Sequence, residues 1–448
     1  MHLLPSRTAR ARASLLLGAL VAASVGVLVP AAPAGAAPVL AQTWSWHTSA
    51  RFHSSSPAIA DVNGDGVPDI VIGDMEGWLH VFDGTSTGAT PHEVPGWPQQ
   101  VRPDGVHATA VESTPVVGDL DHDGKPEIVV GATSTWVPNQ NGGLVGFNND
   151  GSVRFRWQGQ DQFTVWGMGP FPDGYSEGAF SSPAIGDVDG DGYPDVVFGG
   201  WDMRIHALDR TGHELAGFPV WQDDTVWSSP ALYDVDGDGR MEIFIGGDSS
   251  AGGTENLNGG ILHAYDVVHG TVRELWRRQF NDVVGGSPAI ADIDGDGRLD
   301  LVTTTGDYFH ASDSHKVYAV HLEDGSNLAG WPVDTGTTNR GDVALGDLTG
   351  DDGGRPEVVV GGTDGHVRAY RGNGVLHFDV VPAMGGEGGG QIATRPVIAD
   401  LNGDGHNDVV IGNGWGTFIL NGLDGSRVAE PVMKGWSFEN SAAVANFP

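Results

Sequence analysis

Residues 55–73 read SSPAIADVNGDGVPDIVIG, and this stretch decides the fold. Its two outer parts, AIA and DIVIG, are short, rich in apolar and β-branched residues, and bounded by Ser, Pro, Asp and Gly. Such a pattern is typical of strands, and no 3.6-residue periodicity lies between them. The acidic, glycine-rich middle, DVNGDGVPD, therefore predicts a loop that joins two strands.

The same phrase recurs along the chain, in seven copies whose acidic loops begin 47 to 68 residues apart. Each copy is followed by a third β-like stretch, such as WLHVFDG at 78–84, and by a more variable fourth one. Four strands repeated at this period form the blade of a β-propeller. We predict an all-β, seven-bladed β-propeller of four-stranded antiparallel blades, with acidic loops between the first and second strands at 61–69, 119–127, 187–195, 234–242, 292–300, 347–357 and 400–408.

The repeats fill residues 38–448, so we expect one propeller domain there and no second sizeable domain. Ring closure is the open point. Residues 441–448, SAAVANFP, imitate the start of the repeated phrase and are expected to form a closing strand. Residues 41–48, AQTWSWHT, could pair with that strand or with the last blade, and an eight-bladed ring is the alternative.

The acidic loops have the pattern of metal sites. In the third loop, carboxylates stand at positions 1, 3, 5 and 9 and Gly192 at position 6. Ligands that are all oxygens indicate a hard cation, and calcium accepts six to eight of them. An EF-hand would place its last acid at position 12 between helices, whereas Asp195 directly precedes a strand-like run. A polar turn needs one Asp or Asn and a Gly, not four carboxylates.

We predict about six or seven structural calcium ions. The sixth loop departs from the pattern, with Thr349 at position 3 and two extra residues before Glu357, so we expect a weaker or differently ligated site. The predicted metal ligands are Asp61, Asn63, Asp65 and Asp69; Asp119, Asp121, Asp123 and Glu127; Asp187, Asp189, Asp191 and Asp195; Asp234, Asp236, Asp238 and Glu242; Asp292, Asp294, Asp296 and Asp300; Asp347, Thr349, Asp351 and Glu357; and Asp400, Asn402, Asp404 and Asp408.

These copies resemble the FG-GAP repeats, also called VCBS-type repeats, of integrin α-subunit propellers and of many secreted bacterial proteins. The resemblance covers nearly all of residues 52–447. In that family the D-x-[DN]-x-D-G-x-x-[DE] loop binds calcium, which implies the same for the loops above. The Gly-Ala-Pro element of the family is degenerate here, and Gly131-Ala132 keeps half of it.

Residues 1–37 have the layout of a secretory signal peptide. A basic start with Arg7, Arg10 and Arg12 precedes an apolar stretch over 15–29 and a small-residue run, AAPAGAAP. We therefore expect a secreted, extracellular protein with no membrane insertion after cleavage, and an uncleaved amino-terminal anchor is the alternative. The chain has no cysteine, so we expect calcium rather than disulfides to stabilise it.

The charge of the chain excludes one large class of partners. It contains 58 acidic and 23 basic residues, for a net charge of −35. A protein this acidic is not expected to bind nucleic acid, whose phosphates require Lys and Arg.

A ligand face is predicted opposite the calcium loops, because the blade-to-blade connections and the long insertions fall there. Loops on a rigid scaffold are where binding residues concentrate, and aromatic rings beside polar groups suit a glycan or protein partner. The tryptophans could instead pack between blades. Arg340-Gly341-Asp342 spells the tripeptide that integrins recognise, but it directly precedes a predicted inner strand. The predicted ligand residues are Trp136, Trp166, Tyr175, Trp227, Tyr308, Arg340 and Arg395.

The sequence favours a binding or adhesion scaffold, expected to be a monomer, over an enzyme. The clearest acids belong to the metal loops, and none of the 17 histidines lies in an H-E-x-x-H motif. The leading alternative is a calcium-dependent polysaccharide lyase or another carbohydrate-active propeller enzyme. A purely structural envelope protein is a third possibility.

Overall fold

Each copy of the repeated phrase folds into two antiparallel strands joined by its acidic loop. In the computed structural model, the two strands of the first copy pair from Ala58 opposite Val71 to Ala60 opposite Asp69. Gly66 in the loop between them has a φ of 86°, a conformation that favours glycine. The structure describes residues 45–46, 52, 54–87, 89–133, 139–161, 163–164, 170–171, 174–250, 257–306, 313–351, 353–383, 390–429 and 441–445.

The first three blades follow one another along the chain. The first contains β1 (Ala58–Ala60), β2 (Asp69–Gly73), β3 (Trp78–Phe82) and β4 (Gln99–Gln100), and the second contains β5 (Val116–Gly118), β6 (Glu127–Ala132), β7 (Gly143–Phe147) and β8 (Val153–Trp157). A two-stranded hairpin, β9 (Phe163–Thr164) and β10 (Pro170–Phe171), precedes the third blade of β11 (Ala184–Gly186), β12 (Asp195–Gly199), β13 (Arg204–Leu208) and β14 (Val220–Trp221).

Four further blades complete the propeller. They consist of β15 (Ala231–Tyr233), β16 (Glu242–Ser249), β17 (Gly259–Val268) and β18 (Thr271–Phe280); β19 (Ala289–Ala291), β20 (Asp300–Thr304), β21 (Lys316–His321) and β22 (Val333–Asp334); β23 (Ala344–Gly346), β24 (Glu357–Gly361), β25 (Val367–Tyr370) and β26 (Leu376–Val380); and β27 (Val397–Ala399), β28 (Asp408–Asn413) and β29 (Gly416–Asn421).

The predicted fold class is confirmed. Six sheets have four antiparallel strands in chain order, and the seventh has three within the described residues. The described ranges contain no helix, and accordingly none that is long and apolar enough to cross a membrane.

The core lies between neighbouring blades. Val71 and Leu79 of the first blade pack in one cluster with Ile128 and Val145 of the second, and all four side chains are fully buried. Burying apolar side chains of adjacent sheets against each other is the main stabilising term for such a fold. Packing requires the glycine that ends the repeated phrase. A Cβ on Gly73 would lie 2.1 Å from Cγ1 of Val111, in the segment that connects the first blade to the second.

The first strand of each blade is the innermost one. Hydrogen bonds link the residues that precede these strands, from one blade to the next around the propeller. The backbone N–H of Ser56 donates to Thr114 Oγ1 at 3.3 Å, and that of Thr114 donates to Ser182 Oγ at 2.9 Å. Similar bonds continue from blade to blade. We call the set the inner ring, which comprises Ser56, Thr114, Ser182, Ser229, Ser287, Asp342, Arg395 and Ser441.

The carboxyl-terminal segment closes this ring. The backbone N–H of Arg395 in the last blade donates to Ser441 Oγ at 2.8 Å, and the N–H of Ser441 donates to Ser56 Oγ of the first blade at 2.9 Å. Near the other end of the chain, the ring of Trp46 lies 4.5 Å from that of His80 and 5.1 Å from that of Phe82. The described part of the amino-terminal segment thus packs on the first blade.

Candidate metal loops and central cavity

The first carboxylate of each acidic loop organises the turn. In the third loop, Asp187 accepts the backbone N–H groups of Gly190 at 2.7 Å and of Gly192 at 2.9 Å. Asp189 accepts the N–H of Asp191 at 2.9 Å. The side chains therefore replace backbone partners through the turn and are held with their remaining lone pairs on one side of it.

The final acid is the buried anchor of the loop, because it is also the first residue of the second strand. Asp195 is 2% exposed and accepts the N–H of Val188 at 3.0 Å. The corresponding bond, from the residue after the first acid to the last acid, is present in the other loops at Asp69, Glu127, Glu242, Asp300, Glu357 and Asp408.

Three carboxylates converge in four of the loops, with ligand oxygens within 4.8 Å of one another, and these groups could hold metal ions. They are Asp119, Asp121 and Glu127; Asp187, Asp189 and Asp195; Asp234, Asp236 and Asp238; and Asp292, Asp294 and Asp300. In the other three loops the third position carries the neutral oxygens of Asn63, Thr349 or Asn402.

The fifth-position acids lie at the outer edge of the loops. All seven are exposed, and only in the fourth loop does one of them join a converging group: Asp65, Asp123, Asp191, Asp238, Asp296, Asp351 and Asp404. In the fourth loop this outer acid takes the place of Glu242 in the group. The first, third and ninth positions are therefore the more uniform part of the candidate sites.

The sixth loop keeps the same anchor despite its two extra residues. Glu357 accepts the N–H of Leu348 at 2.8 Å, and Asp347 accepts the N–H of Gly350 at 2.7 Å. The hydroxyl of Thr349 donates to both Asp351 and Glu357. A neutral hydroxyl thus stands at the third position, where four of the other loops carry a carboxylate.

Burial and mutual repulsion disfavour the charged form of the final acids. Burial raises the pKa of Asp195 to about 8, and three aspartates of its loop add to the shift. The pKa is raised in all the other final acids too: to about 7 in Glu242, to about 6 in Asp300 and Asp408, and upward in Asp69, Glu127 and Glu357. Either protons or a cation must compensate this charge.

The donor set fits a hard divalent cation. All the candidate ligands are oxygens, as calcium prefers. Oδ1 of Asp300 is buried and has no hydrogen-bond partner among the described residues, and Nδ1 of His321 lies 3.4 Å from it. A buried carboxylate oxygen without a donor is expensive unless a cation binds it.

The repeats match a known family. The FG-GAP-like repeat model matches residues 61–130, 234–303 and 354–411, and the FG-GAP repeat model matches residues 113–153. The chain contains FG-GAP repeats. These matches include the acidic loops at 61–69, 119–127, 234–242, 292–300 and 400–408.

This FG-GAP propeller is similar to proteins of several kinds. Human integrin alpha-7 is 29% identical to it over 185 residues, a match that covers 37% of this chain and 14% of the integrin's length. The crystal structure of BamB from Moraxella catarrhalis has a TM-score of 0.48 at 13% identity, covering 88% of this chain and 93% of that one. A rhamnogalacturonan lyase from Bacillus licheniformis has a TM-score of 0.49 at 17% identity, covering 83% and 67%.

A central cavity opens at the end of the inner strands opposite the metal loops. Its volume is about 440 Å³, and every member of the inner ring lines it. Glu112, Phe180, Asn339 and Arg340 also contribute to the wall. The fold thus places a chamber with both polar and apolar lining on the face that carries the blade-to-blade connections.

Aromatic side chains form one side of this chamber. The ring of Trp227 lies 5.3 Å from that of Phe180 and 4.9 Å from that of Trp201. Trp227 Nε1 donates to Asp248 Oδ2 at 2.9 Å, which fixes the indole plane. Burial, with Asp224 adding to the effect, raises the pKa of Asp248 well above its usual range.

Three of the predicted ligand residues come together at the cavity. Trp227, Arg340 and Arg395 all line it, and both arginines are exposed. Arg395 donates through Nε to Asp342 at 2.8 Å, so the aspartate of the Arg-Gly-Asp tripeptide belongs to the inner ring. Tyr175 is half-buried and lies outside the lining.

The remaining predicted ligand residues are not placed by the structure. Trp136, Trp166 and Tyr308 lie outside the described residues, as does the predicted signal peptide at 1–37. Reasoning from the sequence missed Glu112, Asn339 and the ring hydroxyls. The recurrent Ser or Thr before a proline, as at Ser56-Pro57, was the available signal for the hydroxyls.

Proposed function

We propose that this FG-GAP propeller is a secreted, calcium-stabilised scaffold that binds an extracellular glycan in its central cavity. The observation that carries the proposal is the composition of the cavity wall, where the aromatic side chains of Phe180 and Trp227, the exposed arginines and the inner ring line one cavity. The signal-like segment at 1–37 supports an extracellular location. Similarity to integrin alpha-7 supports extracellular ligand binding in general.

Calcium would act on stability rather than on the ligand. The metal loops follow the carboxyl ends of the innermost strands, whereas the inner ring precedes their amino ends, as Asp61 and Ser56 do at β1. The candidate ligands would hold calcium by their carboxylate and amide oxygens, and the metal would supply the positive charge that the final acids need. Binding to the folded chain alone stabilises that state by mass action.

A glycan fits the cavity better than a protein surface does. A volume of about 440 Å³ lies in the range of small-ligand sites and is too confined for a standard protein interface. Trp227 and Phe180 supply flat apolar area for the face of a sugar ring. The exposed guanidinium of Arg340 carries hydrogen-bond donors for hydroxyl or carboxylate oxygens at its edge.

An immobilised glycan array, followed by calorimetry on the best ligand, tests the proposal. Trp227→Ala and Arg340→Ala should each weaken binding by about tenfold or more, equivalent to about 1.4 kcal/mol. Trp221→Ala is the matched control, because Trp221 is also exposed but lies outside the cavity lining. Circular dichroism in calcium checks the fold of each variant.

Three results would overturn the proposed role. Equal loss of binding in the Trp221→Ala control would show that the ligand binds outside the cavity. Cleavage of a bound glycan during the incubation would make the protein an enzyme, and binding only to proteins on a parallel protein array would replace the ligand class.

A further inference from the structure

One metal loop contains a positive side chain of the protein itself. Arg154 lies on β8, and its Nη2 is 2.8 Å from Asp121 Oδ2 while its Nη1 is 3.3 Å from Glu127 Oε1. The arginine side chain is 17% exposed and that of Glu127 is 4% exposed. The guanidinium therefore reaches from the third position of the second loop to its buried final acid.

These carboxylates are two of the three that converge in the second loop. Oxygens of Asp119, Asp121 and Glu127 lie within 4.8 Å of one another. A planar guanidinium donates to two carboxylates at once and carries a full positive charge at any physiological pH. Arg154 thus engages the oxygens that a calcium ion in this loop would need.

Arginines near the other loops contact a different position. Arg210, Arg298 and Arg371 lie 3.5, 2.6 and 3.1 Å from Asp191, Asp296 and Asp351, which are exposed fifth-position acids. In the described part of the chain, Arg154 is the one arginine within ion-pair distance of a final acid. The second loop is therefore chemically distinct although its sequence pattern is complete.

The arginine is held in place by partners outside the loop. Its Nε donates to the backbone oxygen of Arg210 in the third blade at 2.9 Å, and Nη1 donates to Asn148 Oδ1 at 3.3 Å. These bonds fix the guanidinium plane and lower the entropic cost of keeping it between the carboxylates.

We propose that Arg154 is the resident cation of the second loop. It neutralises Asp121 and Glu127, keeps the loop folded without metal, and makes this loop bind calcium more weakly than the third loop. The inference rests on the calcium role proposed above, because it concerns competition for the same carboxylates.

Calcium titration of the full mature chain, followed by native mass spectrometry, tests the competition. Arg154→Met removes the charge and keeps much of the apolar stem. At calcium concentrations that fill the other loops, this variant should bind one ion more than the wild type, and its added site should be about tenfold tighter or better. Arg210→Met is the matched control and should keep the wild-type count.

Melting in excess chelator tests the charge compensation independently of calcium. Arg154→Met should melt at a lower temperature than Arg210→Met and should gain more from added calcium. Arg154→Lys keeps the charge but cannot bridge both carboxylates in one plane, so the calcium affinity of its second loop and its melting temperature in chelator should fall between those of the wild type and Arg154→Met.

The outcomes separate this inference from the calcium proposal. Equal ion counts and equal titration midpoints for the wild type and Arg154→Met would overturn the resident cation and leave calcium binding intact. No calcium bound by any variant would overturn the calcium proposal, and the chelator experiment would still decide about Arg154. Equal melting of Arg154→Met and Arg210→Met in chelator would show that the arginine does not stabilise the loop.

Discussion

The two faces of the propeller are built on opposite principles. The metal-loop face repeats one arrangement seven times, from the final acid that anchors β2 in the first blade to the one that anchors β28 in the last. The cavity face repeats only its ring of hydrogen bonds, while its aromatic and charged residues come from single blades. Under the proposed function, the repeated face would stabilise the ring and the other face would bind the ligand.

Removing calcium should have the largest effect, and it should act on stability alone. A site at tenfold excess of calcium over Kd contributes about 1.4 kcal/mol, and several such sites together approach the stability of a typical domain. We expect a large fall in melting temperature in excess chelator, measured by circular dichroism, with about six or seven ions counted by native mass spectrometry in calcium.

Magnesium chloride at the same concentration is the control for ionic strength and should restore much less of the melting temperature, because magnesium is reluctant to exchange its waters for protein ligands. An unchanged melting curve in chelator would mean that calcium does not stabilise the protein through the face that carries the acidic loops.

Substituting one final acid should change the stability of the protein in opposite directions with and without calcium. Asp195→Asn should cost about 1–3 kcal/mol in calcium, because an anionic ligand is lost. In chelator the same change should stabilise the chain, since Asp195, with a pKa raised to about 8, must take up a proton on folding at neutral pH, whereas Asn need not and still offers an oxygen to the N–H of Val188. Thermal unfolding under both conditions measures the change of sign.

Glu127→Gln provides the contrast within the same face. Arg154 lies 3.3 Å from this acid and lowers its pKa against the effect of burial, so in chelator the neutral side chain should stabilise the protein less than Asp195→Asn does. If Asp195→Asn and Glu127→Gln behaved alike without calcium, the distinction between the third and second loops would be lost.

The metal-free protein should become less stable as the pH rises from about 4 to about 8. Glu242, with a pKa raised to about 7, and Asp408, with one raised to about 6, bind protons in the folded state that the unfolded chain has already released. Stability therefore falls as each group ionises. Contacts with Asp74 and Glu93 outweigh burial and raise the pKa of His80 to about 9, which extends the fall to higher pH.

With calcium present the slope should invert between pH 5 and pH 8, because protons then compete with the metal for the same carboxylates. Melting temperatures across this range, with calcium and with chelator, give the two slopes. Parallel slopes would show that the final acids are not metal ligands.

The difference between the faces also explains what the sequence could predict. The repeated phrase contains both strands and every ligand of a loop, as residues 55–73 do, so local pattern was enough for the blades and for the loop geometry. The cavity requires residues far apart in the chain, such as Ser56 and Ser441, to meet when the ring closes. No local sequence pattern indicates that two residues so far apart in the chain will meet.

Arg154 shows the same limit inside a loop that the sequence describes well. The acids of the second loop were predicted from their spacing, but the arginine comes from β8, and the two meet only because β8 pairs with the blade that contains the loop. Trp227, Arg340 and Arg395 were predicted as ligand residues one by one, whereas their meeting at one cavity is a property of the closed ring.

The smallest effect is expected at the closure of the inner ring. Ser441→Ala removes the hydroxyl that accepts the N–H of Arg395 at 2.8 Å but keeps the backbone bond to Ser56. One neutral hydrogen bond contributes about 1 kcal/mol, so the melting temperature should fall by a few degrees at most. Ser229→Ala, which removes the equivalent hydroxyl between two interior blades, is the control.

Because interior blades are also held by buried cores, the closing bond should matter more for opening of the ring than for global unfolding. Hydrogen exchange at the first and last blades should therefore rise in Ser441→Ala and stay unchanged there in Ser229→Ala, and equal exchange in both would assign ring closure to other contacts.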